Sequence, residues 1–325
     1  MKVVTKKTYT YDLFKDGLTQ SVITSWLKCK EKMRLGVVEG WTSIKSGSTF
    51  IFGELAHAIL EQVYSTPEFR KAPPDQYQIT KMVNRHIYLW KKEHEGFIDA
   101  YQEENLELAA TKLIAVLPHY FKFWHKKDFG ETKWIALEKE FVMNVGGVPI
   151  RGKRDGEYRI GKDIYLFETK TKGQIDENSL YEVLQIDFQT LLYSLSLFKE
   201  HGQWPKGTRY NIIRNPGNRI KKNESLKAFG KRIEDEVIKR PEHYFKRMMI
   251  SRTTSELEGF RNELKQIIAD ITAWYLHQSP HYKNPNACSD KYGTCSLIRI
   301  CAMGKFNLHK KRNKVFTELS YTQEV

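Results

Sequence analysis

The chain has 325 residues, a formal net charge of +14, 40% hydrophobic and 28% charged side chains. This is an ordinary globular composition with ample length for a core. No apolar run approaches the ~20 residues of a membrane span, and the start, MKVVTKKTYTYDLFKDG, lacks an apolar signal-peptide region. A cytoplasmic protein is expected, and its positive balance favours a polyanionic partner such as nucleic acid.

The first 130 residues read as helical. Val22, Ile23, Trp26, Leu27 and Met33 recur at helical spacing over Ser21 to Arg34, and Gly36, Gly40, Ser46 and Gly47 then mark a loop. A second helix is expected after Ser48, a third over Ile79 to Lys92, and a fourth over Asp99 to Lys127 with an interruption near Pro118. Strand patterns take over from Trp134 to Val145 and in two runs flanking Gly161-Lys162-Asp163, a hairpin signal. Ser179 to Glu200 reads as one helix entered by Asn178 or Ser179, and Arg209 to Arg214 as a strand ended by Asn215-Pro216-Gly217. Helices are expected over Ser225 to Arg240 and Thr254 to His277, with a short strand over Tyr244 to Ile250. With no repeat and no long linker, one composite α/β domain is expected. Its parts would be a helical region (1–130), an α/β core (131–215), a helical region holding three cysteines (216–304) and a basic tail (305–325).

The chemistry concentrates in the hairpin. If Gly161 and Lys162 form a two-residue loop, Ile160 pairs with Asp163 and, counting outward, Asp155 falls opposite Glu168. Directly opposed residues have Cβ atoms about 5 Å apart, where like charges repel. Lys170, two residues on, projects from the same face as Glu168. A divalent metal such as Mg²⁺ gives two converging carboxylates a purpose, since hard oxygen ligands suit it, and it can activate a water for attack. A surface hairpin neutralised by Lys153 and Lys170 is the plainer alternative.

Other residues fall on helix faces. Gly53, His57 and Glu61 stand four apart, as do Gln189 and Tyr193. His57 can ligate a metal or meet phosphate, and Gln189 and Tyr193 can hold a water and a phosphate. Two basic runs can track a nucleic-acid backbone: Arg214, Arg219, Lys221 and Lys222, and Lys305, Lys310, Lys311, Arg312 and Lys314. The stretch from Gly156 to Asp163 nearly matches a phosphate-binding loop, but Asp163 stands where a hydroxyl is needed and strands flank it on both sides. It is the hairpin turn, so any helicase would be a separate chain.

Together Gly53-x-x-x-His57-x-x-x-Glu61, Gly152-x-x-Asp155, Glu168-Thr169-Lys170 and Gln189-x-x-x-Tyr193 resemble the ordered motifs of RecB-family nucleases in the PD-(D/E)XK superfamily. The likeness runs from about Ser21 to Cys301 and is strongest to phage-type exonucleases, with Gly-x-x-Asp in place of Pro-Asp. The resemblance implies a restriction-endonuclease-like core, a central mixed sheet flanked by helices. It further implies that His57, Asp155 and Glu168 attend Mg²⁺ or Mn²⁺, that Lys170 is the catalytic lysine, and that Gln189 and Tyr193 complete the site. Several RecB-like nucleases hold a 4Fe–4S cluster on one N-terminal and three C-terminal cysteines. Cys29, Cys288, Cys295 and Cys301 are similar, although six residues separate Cys288 from Cys295 where the better-known pattern has two. Zinc, or four reduced thiols, remain the alternatives there.

The expected protein is a metal-dependent deoxyribonuclease, an exonuclease acting on single-stranded DNA or free ends, with a separate helicase or recombination partner. The rival is a non-catalytic DNA-binding scaffold of a recombination complex that keeps the fold. Opposed carboxylates speak against it, because a scaffold gains nothing from their repulsion.

Overall fold

The computed structural model describes residues 9–44, 48–95, 98–277, 280–290, 293–312, 314–316 and 319. Strand β1 (Leu18–Thr19), helices α1 (Gln20–Lys28) and α2 (Lys30–Met33) and strand β2 (Trp41–Ser43) come first. Helices α3 (Ser48–Ser65), α4 (Gln76–Glu93) and α5 (Ala100–His125) follow, then strands β3 (Lys133–Val145), β4 (Val148–Ile160) and β5 (Asp163–Lys172). Next are α6 (Glu177–Gln185), α7 (Phe188–His201), β6 (Gly207–Arg214), α8 (Leu226–Lys239), α9 (Pro241–Tyr244), β7 (Phe245–Ser251) and α10 (Thr254–Leu276). The short elements β8 (Ser289–Asp290), β9 (Gly293–Thr294), α11 (Ile298–Met303) and β10 (His309–Lys311) close the series.

The expected α/β architecture is present: a mixed six-stranded sheet with helices on both faces. β4 is its pivot. β3 runs antiparallel along the whole of one edge, while parallel β1 and antiparallel β5 share the other. β6 then pairs parallel with β5 and β7 antiparallel with β6. One core layer joins Leu18, Ile150, Leu166 and Leu192 to Leu264 and Ile268 of α10. The other joins Ile59, Val83, Leu113 and Phe229 of α3, α4, α5 and α8 to Ile213 and Phe245.

Three helices begin with reciprocal capping boxes: Asp75 with Gln78, Asp99 with Gln102, and Thr253 with Glu256. Each satisfies two backbone donors at a helix start. The expected interruption at Pro118 does not occur, and α5 runs through it. Proline's missing N–H frees the carbonyl four residues back, and that carbonyl, on Ile114, accepts from Gln76 Nε2 at 2.9 Å. A helix packed on both sides thus absorbs the loss.

Two single helices expected from the sequence are each broken. Ser21 to Arg34 splits at Cys29, whose backbone is extended (φ −163°, ψ 114°) before a single wide turn over Arg34–Val38. The break lets the segment near residue 282 dock: Glu31 N–H donates to the Tyr282 carbonyl at 3.3 Å, and Asn284 Nδ2 to the Lys28 carbonyl at 2.8 Å. Ser179 to Glu200 splits at Ile186–Asp187, and the expected caps Asn178 and Ser179 lie inside α6, capped instead by Asp176. Asp187 caps α7 by accepting from Gln189 N–H.

The basic tail is also corrected. β10 pairs with β2, Lys311 Nζ sits 3.9 Å from the Trp41 ring centroid, and Val315, Phe316 and Leu319 are buried in the α7–α10 core layer. Apolar side chains at these three positions outweigh the cations around them. Residues 317–318 and 320–325, like Ser46 and Gly47 of the expected loop, fall outside the described residues.

A buried ion pair ties the sheet's far edge to the helical layer. Arg247 of β7 meets Asp128 with both nitrogens, at 2.6 and 2.8 Å, and Tyr64 OH donates to the same carboxylate at 2.7 Å. Both charged side chains are at most 5% exposed. Removing one partner strands the other's charge, which costs about 3–5 kcal/mol. Arg247→Met should therefore lower the unfolding free energy by about that much in urea titrations; a loss below about 1 kcal/mol would show that the pair is not a structural tie.

Candidate active site

The site arises because two strands share one edge of β4. β1 pairs with Ile150 and Arg151, β5 with Gly156 to Ile160, and Gly152 to Asp155 are left between them. A cavity of about 1030 Å³ opens there, lined by Gly152, Lys153 and Asp155 and by residues of β1, α1, α3, β3 and α7.

The hairpin register matches the expectation from Ile160↔Asp163 to Gly156↔Phe167. The next rung, Asp155 with Glu168, is not made. Asp155 Oδ2 instead accepts the Thr169 N–H at 2.7 Å. The pleat of β4 is interrupted at this point. Arg154 reaches Ser196 of α7 at 2.8 Å, yet Glu157, three residues on, lies 3.6 Å from His201 of the same helix. Three residues apart on a regular strand would face opposite ways. The interruption aims Asp155 toward the cavity and α3 rather than flat against its neighbour strand.

Every residue singled out by motif is brought together. His57 Nδ1 is 3.8 Å from Asp155 Oδ2. Lys170 Nζ donates to Glu168 Oε1 at 2.9 Å and to Gln189 Oε1 at 2.5 Å, and Gln189 Nε2 donates to Tyr193 OH at 3.2 Å. Gly53 earns its place differently from the expectation of ligand approach: a Cβ there would come within 3.0 Å of Thr171 Oγ1, so glycine lets α3 close onto β5.

Charge is unevenly matched. Burial, then Asp155, pushes the Glu168 carboxyl up to about 8, and burial raises Asp155 to about 6 against the pull of the Thr169 N–H. Burial opposes the charge on Lys170, but Glu168 and Asp187 outweigh it and hold its pKa above the ordinary value, so it stays an ammonium. Desolvation lowers His57, and Lys170 and Lys153 add to that against Glu168, leaving a neutral imidazole at pH 7.

Two site residues escaped the sequence reading. Glu138 of β3 lines the cavity with a left-handed backbone (φ 49°), 3.0 Å from Lys153 Nζ, and burial followed by Asp155 raises its carboxyl to about 8. A non-glycine residue held there costs of order 1–3 kcal/mol, a mark of a functional position. The signal was present. Counting outward from the Gly146-Gly147 turn, where Val145 pairs with Val148, places Glu138 opposite Asp155. Asp187, the α7 cap, lies 3.6 Å from Lys170 Nζ; the helical pattern running across it hid the break.

A second cluster, Glu157, Glu200 and His201, has potential ligand atoms within 4.8 Å of one another. Arg154 Nη2 already lies 3.3 Å from Glu157 and 2.6 Å from Glu200, and Lys139 contacts both acids. Its charges balance internally, unlike those of the cavity. The four cysteines line one small cavity beside Leu35 and Leu297, but no three of their sulfurs fall within 4.8 Å of one another. They do not form a tight ligand set.

A sequence model of the PD-(D/E)XK nuclease superfamily matches residues 17–302. No curated protein matches the sequence. A solved structure titled "Crystal structure of SSO0001" aligns with 56% of this chain and 71% of its own, at 16% identity and a TM-score of 0.27. The mixed sheet between helical layers is the restriction-endonuclease-like core of that superfamily. Among the described residues no helix is long and apolar enough to cross a membrane.

Nucleases of this superfamily use divalent metals such as Mg²⁺ or Mn²⁺. The donors fit such an ion. Glu168 Oε2 is buried with no hydrogen-bond partner, and Asp155 and Glu138 are hard oxygen donors beside it. Without a metal, the folded protein holds protons on these acids that the unfolded chain releases near pH ~4. Stability therefore falls as pH rises from about 4 toward 8. Added Mg²⁺ should raise the thermal midpoint more at pH 8 than at pH 5.5. Equal shifts at both, read by calorimetry, would place the ion elsewhere.

Proposed function

The chain belongs to the PD-(D/E)XK nuclease superfamily, and on that premise we propose that it is a deoxyribonuclease that degrades DNA from free ends. What carries the reading is the meeting of Asp155, Glu168 and Lys170 at one cavity under a buried carboxylate oxygen that lacks a partner. Asp155 and Glu168 would hold the metal, with Glu138 as a further oxygen donor and His57 at its side. When bound, the ion would activate a water and neutralise charge at the scissile phosphate.

The chain's own groups handle positioning. Thr169 N–H fixes one oxygen of Asp155 and leaves the other for binding. Lys170, held charged between Glu168, Gln189 and Asp187, is a donor rather than a base, so it orients a water or steadies negative charge on phosphorus. Gln189 is fixed at both ends of its amide, by Lys170 and Tyr193, which sets the angle of approach to the phosphate. Phe50 and Tyr101, 60% and 56% exposed, line the cavity and offer stacking faces to unpaired bases. The N-terminal helices and the segment around Asn284 meet at Lys28 and narrow access to the site, which favours a threaded single strand over an intact duplex.

The test compares linear DNA with closed circles of the same sequence in Mg²⁺ or Mn²⁺. Linear DNA should be degraded and circles spared, and Glu168→Ala or Lys170→Ala should abolish cleavage without lowering the thermal midpoint. Equal rates on circles would make the protein an endonuclease; full activity in both variants would refute the site.

The cysteine cavity belongs to the same reading. A single zinc ion with bonds of about 2.3 Å draws thiolates to about 3.8 Å of one another, closer than these sulfurs stand. A 4Fe–4S cluster spreads its four thiolates wider, so Cys29, Cys288, Cys295 and Cys301 suit it better. Protein purified without oxygen should carry iron and sulfide, and Cys288→Ser should lose both. Zinc without iron, or no metal, would overturn this assignment.

A further inference from the structure

Ser48 and Thr49, which open α3, form a wall shared by the catalytic cavity and a second cavity of about 490 Å³. The far side of the second cavity is the loop after β6, from Asn215 to Ile220; Lys112 of α5 and Gly173, just past β5, also line it. Lys112 Nζ donates to the Pro216 carbonyl at 2.7 Å and so fixes the loop. Arg219 is exposed at the rim.

Charge and space both suit a nucleotide. α3 is an 18-residue helix with no acidic residue in its first turn, so its start presents backbone N–H groups and the positive end of the helix dipole. Such an end accepts phosphate readily. A Cβ built at Gly173 or Gly217 meets nothing within 4 Å.

The independent sign is Asn215. Its side chain is 6% exposed, and its amide oxygen is buried without a hydrogen-bond partner. An orphaned acceptor of this kind costs about 1–3 kcal/mol, and a ligand that brings a donor removes the cost. DNA has no sugar 2′-hydroxyl, so its donors are the amino and imino groups of bases, which are free only when a base is unpaired.

We propose that this cavity is a subsite for one unpaired nucleotide of the strand that passes through the catalytic cavity. Its phosphate lies at the start of α3 near Arg219, and its base edge turns to Asn215. This rests on the nuclease reading of the neighbouring cavity.

The test measures binding of a fluorescent single-stranded 12-mer to the full chain by anisotropy, with Ca²⁺ replacing Mg²⁺. Gly217→Trp, which fills the open space, should weaken binding tenfold or more. Arg219→Ala, a surface change, should reduce the slope of log K against log salt by about 0.7, one single-strand phosphate contact. Asn215→Leu should weaken the single strand but not a duplex of equal length. Binding within twofold of the parent for both Gly217→Trp and Arg219→Ala, with an unchanged slope, would overturn the subsite. If those effects appear but the parent cleaves no DNA with any divalent metal, the nuclease reading fails and the subsite stands.

Discussion

Everything at the site depends on how one long strand spends its edge. β4 gives one side entirely to β3 and divides the other between β1 and β5. Backbone polar groups left unpaired in a buried sheet are costly, so an unfilled stretch within an edge persists only where something else satisfies it. Here a side chain substitutes for the missing rung: the Asp155 carboxylate takes the Thr169 N–H. That substitution brings an acid from β4 and an acid from β5 to one place while the hairpin beyond stays regular. Glu138, on the uninterrupted side, pays in backbone strain for joining them.

Two acidic groups flank α7, and their contrast separates structural from functional charge. At its C-terminal end, Glu157 and Glu200 are met by Arg154 and Lys139, with His201 beside them. At its N-terminal end, Asp155, Glu168 and Glu138 share Lys170 and Lys153, and their carboxyls are driven toward the protonated form. A fold selected for stability alone would have relieved that imbalance with another cation or a hydrophobic residue. An imbalance at the floor of a large cavity is the mark of a site that awaits positive charge.

Much of this was legible beforehand, and the limits have physical reasons. Tight-turn chemistry fixes register locally, so the Gly161-Lys162 turn placed Asp155 near Glu168 from sequence alone. The same count from Gly146-Gly147 contained Glu138 and went unused. Helical spacing put Gly53, His57 and Glu61, and Gln189 and Tyr193, on common faces because each set lies within one unbroken helix. It misled across Cys29 and Asp187, where apolar positions keep their period while the backbone does not. Pro118 failed as a breaker because a distant glutamine meets the freed carbonyl, a tertiary event that local pattern cannot reveal. The burial of Val315, Phe316 and Leu319 was hidden by the lysines and arginines before them.

That last burial bears on how the protein is made. Leu18, on the strand that bounds one side of the cavity, shares a core layer with Val315, Phe316 and Leu319, and β2 pairs with β10. These are contacts between residues nearly three hundred positions apart. During synthesis from the N-terminus, the central sheet and the α3–α5 layer can assemble while later residues are still being added. The layer beneath β1 cannot. Closure of so large a loop is slow and comes late, so a ribosome-bound chain would carry the catalytic acids some time before the wall around them is finished. For a protein that cuts nucleic acid, that order of assembly delays a competent active site until the chain has left the ribosomal RNA on which it was made.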